Sequence, residues 1–376
     1  MDIEIAVVGA GIGGLAAAGF LSRAGFRVTV YEQARGFERV GAGIQMSPNA
    51  MRVLRALGLE DRLRAAAFTP PTWSHRAADT GDLLGDLVLG ADAEERFGAP
   101  YLVLHRGDLH QALQSAVPPD VVRFRHRLAG IEPAGSSRLR LRFDGGTAAE
   151  ADAVIGADGV HSRVRELLLG PERPRFTGRV AHRTTFPSSL VRGFTVTTNT
   201  KWWGADRHIV IYPVTANAGE LYYVTSVPDP AWDTESWSAR CDPVEVVEAM
   251  AGFHPEVRAV VAAAPEAHKW ALFERDPLER WGEGAVVLLG DACHPMTPYM
   301  AQGAATSLED AAVLVRAMAG HADPATAFAA YEATRLDRTA RVQLTSRTNT
   351  WGRAGGDTSW LYGYDALTVP LAPPGR

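Results

Sequence analysis

The segment Gly9-Ala10-Gly11-Ile12-Gly13-Gly14 is the strongest indication of the fold class of this chain. It follows a short apolar run, Ile3 to Val8, which predicts a buried parallel strand, and it opens a helix predicted from Ile12 to Ala24. A second strand, Arg27 to Tyr31, completes a βαβ unit and leads to Glu32. A glycine-rich turn between the first strand and the helix of such a unit is typical of proteins that bind a dinucleotide.

The residues of this turn suit a dinucleotide for separate reasons. Gly9 permits the tight turn, Gly11 lets the backbone approach a pyrophosphate, and Gly14 lets the helix pack closely on the strand. Together with Gly13 they direct the helix N-terminus at the phosphates. Glu32 can accept hydrogen bonds from ribose hydroxyls and disfavours a 2′-phosphate, so the sequence predicts the adenosine of FAD or NAD. The alternative is a glycine-rich turn that binds no ligand.

Two later segments have the same character. Gly156-Ala157-Asp158-Gly159 and Gly290-Asp291 each follow a short apolar run that predicts a strand. Asp291 is therefore expected at the carboxyl end of a strand, where ligands bind in open α/β sheets, although a carboxylate there also suits a helix cap. Downstream, Gly303 and Ala304 open a helix with small residues, so backbone N–H groups can face a flavin or a phosphate. Three such segments predict that one long dinucleotide, FAD, is held along its length.

Composition and charge restrict the other partners. The chain has 376 residues, 46% of them hydrophobic, and a net charge of −5 without a long run of one sign. We therefore expect a globular protein that binds small molecules, with no nucleic-acid or membrane partner. The glycine-broken apolar stretch from Ile3 to Leu21 lacks a basic start, so it is interpreted as strand, turn and helix and not as a signal peptide. Cys241 and Cys293 can form one disulfide at most, which favours a reducing, cytoplasmic location.

The order of the predicted elements indicates the fold class. It is α/β, with a Rossmann-like FAD-binding domain, an inserted β-sheet substrate domain and C-terminal helices. The sheet domain is expected to contain strands at Phe194 to Thr198, His208 to Tyr212 and Leu221 to Ser226, while Pro70 to Pro100 is predicted to be irregular. A long amphipathic helix is expected from Ala325 to Ser346. The predicted boundaries are 1–70, 101–170 and 276–325 for the FAD-binding domain, 71–100 for an excursion into the substrate domain, 171–275 for the substrate domain, and 326–376 for the C-terminal helix and tail.

Three motifs, in order along the chain, make it similar to a known family. Gly9 to Gly14, Asp158-Gly159 with His161-Ser162-Arg163, and Gly290-Asp291 with His294-Pro295 resemble the motifs of the FAD-dependent aromatic hydroxylases. These are single-component flavoprotein monooxygenases of the para-hydroxybenzoate hydroxylase type. The resemblance implies FAD as cofactor, NADH or NADPH as reductant, O2 as co-substrate and a small aromatic substrate. In this family a flavin C4a-hydroperoxide hydroxylates a ring made electron-rich by its own hydroxyl group.

The resemblance also connects particular residues with the cofactor. It implies that Arg106 contacts FAD, that Asp291 binds its ribose or pyrophosphate region, and that Asp158 serves both cofactor binding and NAD(P)H use. It places the backbone of Leu128 near the adenine. Further segments extend the resemblance to members that decarboxylate a hydroxylated aromatic or pyridine carboxylic acid as they hydroxylate it. These segments are Val180 to Arg183, Lys201 to Trp203, Asp206 to His208, Met300 to Ala304, Asn349 to Trp351 and Tyr362 to Asp365.

The residues predicted to contact the substrate are Gln45, His208, Tyr212 and Tyr299. His208 alternates with Val210 and Tyr212 on its predicted strand, so the three side chains share one face that can line a pocket. By resemblance, His208 is the best-placed acceptor or base for the substrate hydroxyl. Tyr212 and Tyr299 offer hydroxyl donors, and Gln45 can orient a ligand without acting as a base. The members that this chain resembles most have histidine in place of Gln45 and Tyr299, which leaves the substrate open.

Simpler interpretations stay open at this point. Each of the four substrate residues can instead belong to a structural core, as can the pair Trp202-Trp203. A flavin reductase or dehydrogenase, or a non-catalytic dinucleotide-sensing protein, would carry the same glycine-rich turn. A sensing protein would not need a polar aromatic pocket. No metal site is predicted, because Cys293 and His294 have no second ligand cluster, and a monomer or a homodimer is expected.

Overall fold

Two large β-sheets flanked by α-helices form the protein, in a computed structural model that describes residues 3–37, 41–135, 137–232, 239–353 and 356–374. The strands, in chain order, are β1 (Glu4–Val8), β2 (Arg27–Glu32), β3 (Gly43–Met46), β4 (Thr72–Ala77), β5 (Leu83–Val88), β6 (Leu102–His105), β7 (Val122–Phe124), β8 (Leu128–Ala134), β9 (Arg138–Phe143), β10 (Ala148–Ala151), β11 (Ala153–Gly156), β12 (Arg175–Pro187), β13 (Asn199–Trp203), β14 (His208–Pro213), β15 (Glu220–Pro228), β16 (Arg240–Cys241), β17 (Ala267–Glu274), β18 (Gly282–Glu283) and β19 (Val286–Leu288). The helices are α1 (Ile12–Arg23), α2 (Pro48–Ala56), α3 (Glu60–Ala66), α4 (Gly90–Phe97), α5 (Arg106–Ser115), α6 (Arg163–Leu169), α7 (Pro243–Ala249), α8 (Pro255–Ala263), α9 (Gly303–Gly320), α10 (Pro324–Arg347) and α11 (Ser359–Tyr362).

The first sheet has six strands within the described ranges, in the order β18-β19-β11-β1-β2-β7. The strands from β19 to β7 are parallel, and β1 and β11 are buried apolar runs, as expected for a sheet covered on both faces. Val8 of β1 is level with Gly156 of β11, and Gly156 is level with Leu288 of β19. The carboxyl ends of three strands from distant parts of the chain therefore meet at one edge. The turns that follow them are the three segments from which the sequence predicts a dinucleotide site.

The second sheet has the order β16-β17-β12-β15-β14-β13-β4-β5 among the residues described. Its strands pair antiparallel except β13 and β4, which are parallel. On β14, Ile209 and Ile211 pack into an apolar core together with residues of α7 and α8. His208, Val210 and Tyr212 point to the opposite face, as their alternation predicts, and line a cavity. One face of the sheet is thus closed by a core, and the other is left for a ligand.

The prediction of irregular structure from Pro70 to Pro100 is wrong, because this segment contains β4, β5 and α4. In β4, the polar residues Ser74 and His75 are buried beside Trp73, so the strand lacks the apolar–polar alternation by which strands are recognised. Its place in the sheet depends on parallel pairing with β13, far later in the chain. Pairing over such a distance leaves no local signal in the sequence.

The strand predicted at Phe194 to Thr198 is also wrong. Strand pairing begins one residue later, where Asn199 is level with Trp73 of β4. The β-branched residues of the predicted segment favour a strand, but within the described chain no strand pairs with them; only the side chain of Thr198 hydrogen-bonds to Thr72, the first residue of β4. The strands predicted at His208 to Tyr212 and at Leu221 to Ser226 are confirmed as β14 and β15.

The long helix predicted from Ala325 to Ser346 is confirmed as α10. It is capped by Asp323, whose carboxylate accepts from Thr326 N at 2.9 Å. Along its course Tyr331 Oη donates to the carbonyl oxygen of Leu288 at 3.2 Å, which fastens the helix to β19. Across the parts of the chain that the structure describes, no helix is both long enough and apolar enough to cross a membrane.

Candidate active site

A cavity of about 380 Å³ lies between the carboxyl edge of the six-stranded sheet and the polar face of the eight-stranded sheet. Predicted cofactor residues line one side of it, and predicted substrate residues line the other. The first side includes Gly11, Gly13, Arg106, Asp291, Gly303 and Ala304, and the second includes Gln45, His208, Tyr212 and Tyr299. The predicted cofactor residues that do not line this cavity are Gly9, Gly14, Glu32, Leu128 and Asp158.

The glycine-rich turn has the shape that a pyrophosphate site requires. Gly9 has a φ of +103°, and a Cβ atom there would lie 2.4 Å from the carbonyl oxygen of Ala157. A Cβ on Gly14 would lie 2.0 Å from the carbonyl oxygen of Gly9, so neither residue can carry a side chain. At Gly11, which borders the cavity, an added Cβ would meet nothing within 4 Å. Gly11 also begins α1 without a side-chain cap, which leaves the first-turn N–H groups to an anion.

Glu32 ends β2 and supports this turn through its carboxylate. Its Oε2 accepts from Ala10 N at 2.8 Å, and its Oε1 accepts from Ala34 N at 2.8 Å. The carbonyl oxygen of Glu32 accepts from His126 N at 2.9 Å, which brings the segment leading to Leu128 against the end of β2. Leu128 thus lies two residues beyond a residue that contacts Glu32. Their roles toward a ribose and an adenine stay predictions.

Asp291 and Arg106 bring opposite charges to the cavity. Asp291 follows β19 in a short 3-10 turn, and its side chain is open to the cavity although the turn around it is buried. This burial raises the pKa of Asp291, while His294 and Arg106 act in the opposite direction. Burial lowers the pKa of Arg106, and the charge of Asp291 opposes that shift. The two side chains therefore influence each other, and both are placed to bind a polar cofactor.

A buried ionic network supports the turn after β19 from behind. Asp310 Oδ2 accepts from Gly290 N at 3.1 Å and from His294 Nε2. Arg335 donates from Nε to Asp310 Oδ1 at 2.8 Å and from Nη2 to Glu309 Oε2 at 2.7 Å. Burial by itself would raise the pKa of both acids, but the neighbouring cations bring the pKa of Asp310 and of Glu309 below the usual range. Both are held as carboxylates.

Three residues of this region, Cys293, His294 and Asp310, place metal-ligand atoms within 4.8 Å of one another. The Asp310 oxygens already accept from His294 and Arg335. Burial raises the pKa of Cys293 well above its usual value, and the protonated thiol donates to the carbonyl oxygen of Gly290 at 3.3 Å. A metal requires the thiolate. The contacts therefore explain the cluster as part of the ionic network.

Asp158 orders the segment after β11 by capping α6. Its carboxylate accepts from Arg163 N at 2.7 Å, from Val164 N at 3.1 Å and from the hydroxyl of Ser162. Burial raises the pKa of Asp158, and these hydrogen bonds lower it. The structure accounts for the residue as a helix cap, and its predicted part in NAD(P)H use stays a prediction.

The side-chain amide of Gln45 is oriented by two hydrogen bonds to its oxygen. Its Oε1 accepts from Tyr101 Oη at 2.5 Å and from Asn199 Nδ2 at 3.1 Å. Both lone pairs of that oxygen are thereby used. Burial raises the pKa of the nearby Tyr212 well above its usual value, and a hydrogen bond with Gln45 opposes that shift. In this arrangement Gln45 can donate to a ligand in the cavity.

His208 and Tyr299 pack edge to face, with ring centroids 5.3 Å apart. The hydroxyl of Tyr299 lies 3.1 Å from Ser226 Oγ, within hydrogen-bonding distance. Burial lowers the pKa of His208 well below its ordinary value, and the charges of Lys201 and Arg179 lower it further. His208 is therefore a neutral imidazole near pH 7.

Two buried cations that line the cavity, Lys201 and Arg183, are missing from the predicted site residues. Lys201 is 1% exposed, and its Nζ lies 3.8 Å from the ring centroid of Trp203. Arg183 is 2% exposed, and its guanidinium lies 4.4 Å from the ring centroid of Trp270. Burial lowers the pKa of Lys201 well below its usual value and the pKa of Arg183 to about 10. Their positions inside strands were the available signal, because buried lysine and arginine are rare unless they are paired or functional.

Comparison with known proteins agrees with this geometry. A family model described as FAD binding domain matches residues 2–346. The chain is 48% identical over 375 residues to a 6-hydroxynicotinate 3-monooxygenase of Pseudomonas fluorescens, an alignment that covers 99% of this chain and 97% of that protein.

Two solved structures extend the comparison to the fold. The Klebsiella pneumoniae protein HpxO, complexed with FAD and uric acid, is 29% identical, with a TM-score of 0.83 over 95% of this chain and 90% of the other. A salicylate hydroxylase in complex with its substrate is 25% identical, with a TM-score of 0.83 over 97% of this chain and 96% of the other. Both similarities run through the two sheets that enclose the cavity.

Proposed function

This chain belongs to the FAD binding domain family and is an FAD-dependent aromatic hydroxylase, and we propose that it acts on a small hydroxylated pyridine or benzene carboxylic acid. The reaction uses NAD(P)H and O2. A hydroxypyridine carboxylate is the first candidate, because the relative with 48% identity is a 6-hydroxynicotinate 3-monooxygenase. Gln45 and Tyr299 stand where the family resemblance expects histidines, so benzene acids are candidates as well.

The observation that carries the proposal is the continuity of the cavity. Gly11 and Asp291 border the same space as His208 and Tyr212. A flavin bound beside the first pair would therefore meet an aromatic ring bound beside the second pair in one enclosure, shielded from bulk water. A reductase or dehydrogenase would have no use for a second polar wall, and a sensing protein would have no use for either the wall or the buried cations. Neither alternative is favoured.

The residues on the cofactor side fit FAD. The open backbone at Gly11, the uncapped start of α1 and the guanidinium of Arg106 suit a pyrophosphate. Asp291 is open to the cavity and suits a hydroxyl group of the ribose or ribityl type. When bound, FAD takes electrons from NAD(P)H and, with O2, supplies the oxygen atom that is added to the aromatic ring.

The residues on the substrate side suit an anionic ring. Lys201 and Arg183 are buried at the cavity wall, where a carboxylate would compensate part of their charge. Gln45 accepts at its amide oxygen from Tyr101 and Asn199, so its amide nitrogen can donate toward the ring. His208 and Tyr212 share one face of β14 and can reach the ring oxygen together. The chain's contribution is to orient the ring, to stabilise its negative charge and to keep water away from it.

The test begins with the purified protein, which should be yellow and should release FAD on denaturation. We expect 6-hydroxynicotinate, salicylate or 4-hydroxybenzoate to stimulate NADH or NADPH oxidation together with O2 uptake. Product analysis and CO2 release then separate simple hydroxylation from decarboxylative hydroxylation. A colourless protein that takes up no FAD contradicts the cofactor assignment. NAD(P)H oxidation without a hydroxylated product, for every acid in the panel, would support the reductase alternative.

We also infer a monomer or a homodimer in a cytoplasmic location. The two free cysteines, Cys241 and Cys293, support the reducing location. Light scattering of the FAD-loaded protein and fractionation of its source cells measure the two properties directly.

A further inference from the structure

The side chain of Asn349 connects Lys201 to His208 behind the cavity wall. Lys201 Nζ donates to Asn349 Oδ1 at 3.0 Å. The other end of the same amide, Nδ2, lies 3.4 Å from His208 Nδ1, at the long end of hydrogen-bonding distance. Asn349 follows the last turn of α10 with a φ of +50°, a left-handed conformation that asparagine adopts more readily than most residues. A residue outside both sheets thus contacts the imidazole that lines the cavity.

Lys201 determines the direction of both hydrogen bonds of the Asn349 side chain. An ammonium group has donors and no acceptor, so the Asn349 oxygen must face it, because the reverse orientation would set amide hydrogens against a cation. Burial lowers the pKa of Lys201, whereas its contact with the Trp203 ring favours the charged form. The hydrogen bond from Lys201 Nζ to Asn349 Oδ1 needs only an N–H donor, which both forms of the lysine have. The Asn349 Nδ2–H groups are then left for His208, whose Nδ1 must accept with its lone pair. A neutral imidazole that accepts at Nδ1 carries its proton on Nε2.

His208 Nε2 is the atom that remains for a ligand. The ring borders the cavity, and among the residues that the structure describes none hydrogen-bonds to Nε2. The groups around the ring oppose a second proton: Lys201 on β13 and Arg179 on β12 are cations, and Tyr299 is a phenol whose pKa is raised by burial. His208 therefore presents an N–H donor to the cavity and has no free lone pair there.

We propose that Lys201 and Asn349 are positioning residues that fix His208 as its Nε2–H tautomer, so that His208 donates a hydrogen bond to the ionised ring oxygen of the substrate and does not remove the proton. This inference rests on the proposed function and reverses the role of base that the resemblance favours for His208. The proton of the ring hydroxyl is released to water when the substrate binds, and the ring oxygen is held as an oxyanion. The oxyanion is the form that activates the ring toward oxygen transfer.

The tautomer can be measured without any substrate. In FAD-loaded protein with 15N-labelled histidine, the His208 signals are assigned by their loss in His208→Gln. We expect an unprotonated Nδ1 and a protonated Nε2 in the wild type. Asn349→Asp places a carboxylate, which only accepts, beside Nδ1, so the proton should appear on Nδ1. The exposed Asn217→Asp is the matched control and should leave the His208 signals unchanged. A wild-type His208 protonated at Nδ1 would overturn the proposal.

The consequence for binding is measured with an acid that yields product. The absorption spectrum of the bound acid should show the phenolate in the wild type at a lower pH than in Asn349→Asp, and the midpoint should differ by on the order of one pH unit, or tenfold in the ionisation constant. Lys201→Met should cause a similar shift, and Lys201→Arg, which keeps a donor, should restore most of it. Equal midpoints in all variants would refute the role of the two residues. If no acid yields a product, the proposed function fails while the tautomer measurement stands by itself.

Discussion

Replacing Arg335 with methionine should destabilise the folded protein and loosen the turn after β19. Arg335, Glu309 and Asp310 have side chains that are 0% exposed. Methionine fills much of the space of the arginine stem but has no donor, so two buried carboxylates lose a cation. Glu309 keeps an ion pair with Arg338 at 2.9 Å, whereas the partners left to Asp310 among the described residues are His294 and the backbone N–H group of Gly290. Most of the loss in folding stability should therefore come from the uncompensated charge of Asp310.

The size of the effect follows from this burial. Removing one partner of a buried ion pair costs about 3–5 kcal/mol, because an uncompensated charge remains in the interior. A decrease of about 1 kcal/mol in the free energy of unfolding lowers the thermal midpoint by roughly 2–4 °C in chains of about 150–250 residues, and by less in a longer chain. We therefore expect the midpoint to fall by on the order of 5–10 °C. FAD should also dissociate faster, because Asp310 supports the turn that carries Asp291.

The difference in stability between Arg335→Met and the wild type should depend on pH. In the wild type, nearby cations hold the pKa of Glu309 and Asp310 below normal, so the two acids stabilise the fold above their unfolded pKa of about 4 and lose that contribution as the pH falls. Without Arg335, burial raises the pKa of Asp310, and a proton can neutralise this acid at mildly acidic pH. The difference between variant and wild type should then be smaller at about pH 5.5 than at about pH 8.

Flavin fluorescence during heating, at a fixed FAD concentration, measures this stability. Arg341→Met is the matched control, because it makes the same change on an exposed side of α10. Arg341 lies 4.0 Å from the ring centroid of Trp360, a surface cation–π contact worth about 0.5–1 kcal/mol. The reasoning is refuted if Arg335→Met is no less stable than this control, or if its deficit is the same at both pH values.

Three further substitutions test other parts of the structure. Gly14→Ala places a Cβ 2.0 Å from a backbone oxygen, and no side-chain rotation can relieve this clash, so FAD retention should fall by about 10- to 100-fold. Gly252→Ala is the control, because its added Cβ meets nothing within 4 Å and FAD retention should not change. Equal FAD content of the two variants, measured by absorbance, would contradict this prediction. Asp291→Asn should weaken FAD retention without unfolding the protein, whereas Asp120→Asn, at an exposed position, should leave FAD retention unchanged. Equilibrium dialysis against FAD measures the affinity of both variants, and equal affinities would contradict the prediction. Burial lowers the pKa of His182 to about 4, below its unfolded value near 6.5. Between these two pKa values the unfolded state binds more protons than the folded state. The free energy of unfolding should therefore fall by about 1.4 kcal/mol for each pH unit by which the pH decreases in this range. Urea unfolding of His182→Gln should therefore show a shallower decline between about pH 7 and pH 5 than the wild type, and parallel curves would argue against a buried neutral histidine.

The cofactor half of the site was predictable because its signals are local. A strand, a glycine-rich turn and a helix occupy one continuous segment, and Gly9 and Gly14 are restricted by backbone contacts that any ligand-bound form needs. Asp291 was predictable for the same reason, since it follows directly on a strand. For these residues the spacing along the chain already determines the position in space.

The substrate half was only partly predictable because its residues meet through long-range pairing. The alternation of His208 and Tyr212 was visible in the sequence, but the neighbouring β4 was not, since its buried polar residues hide the strand pattern. Lys201 becomes informative only when its strand is known to be central in the sheet. The contact between Asn349 and His208 depends on where α10 ends, which no spacing rule predicts.

The order of strands in the six-stranded sheet has a consequence for how the protein is made. β1 and β11 form early in synthesis, but β19, which completes the parallel sheet beside β11, follows only after the whole eight-stranded sheet has emerged. The buried carboxylates of α9 likewise gain their partner Arg335 only after α10, which follows α9 in the chain, has been synthesised. Until then a nascent chain exposes an unpaired parallel edge and two uncompensated acids, which makes it slow to fold and dependent on protection from aggregation. The three strand ends that border the cofactor side of the cavity can therefore come together only after β19 has been synthesised.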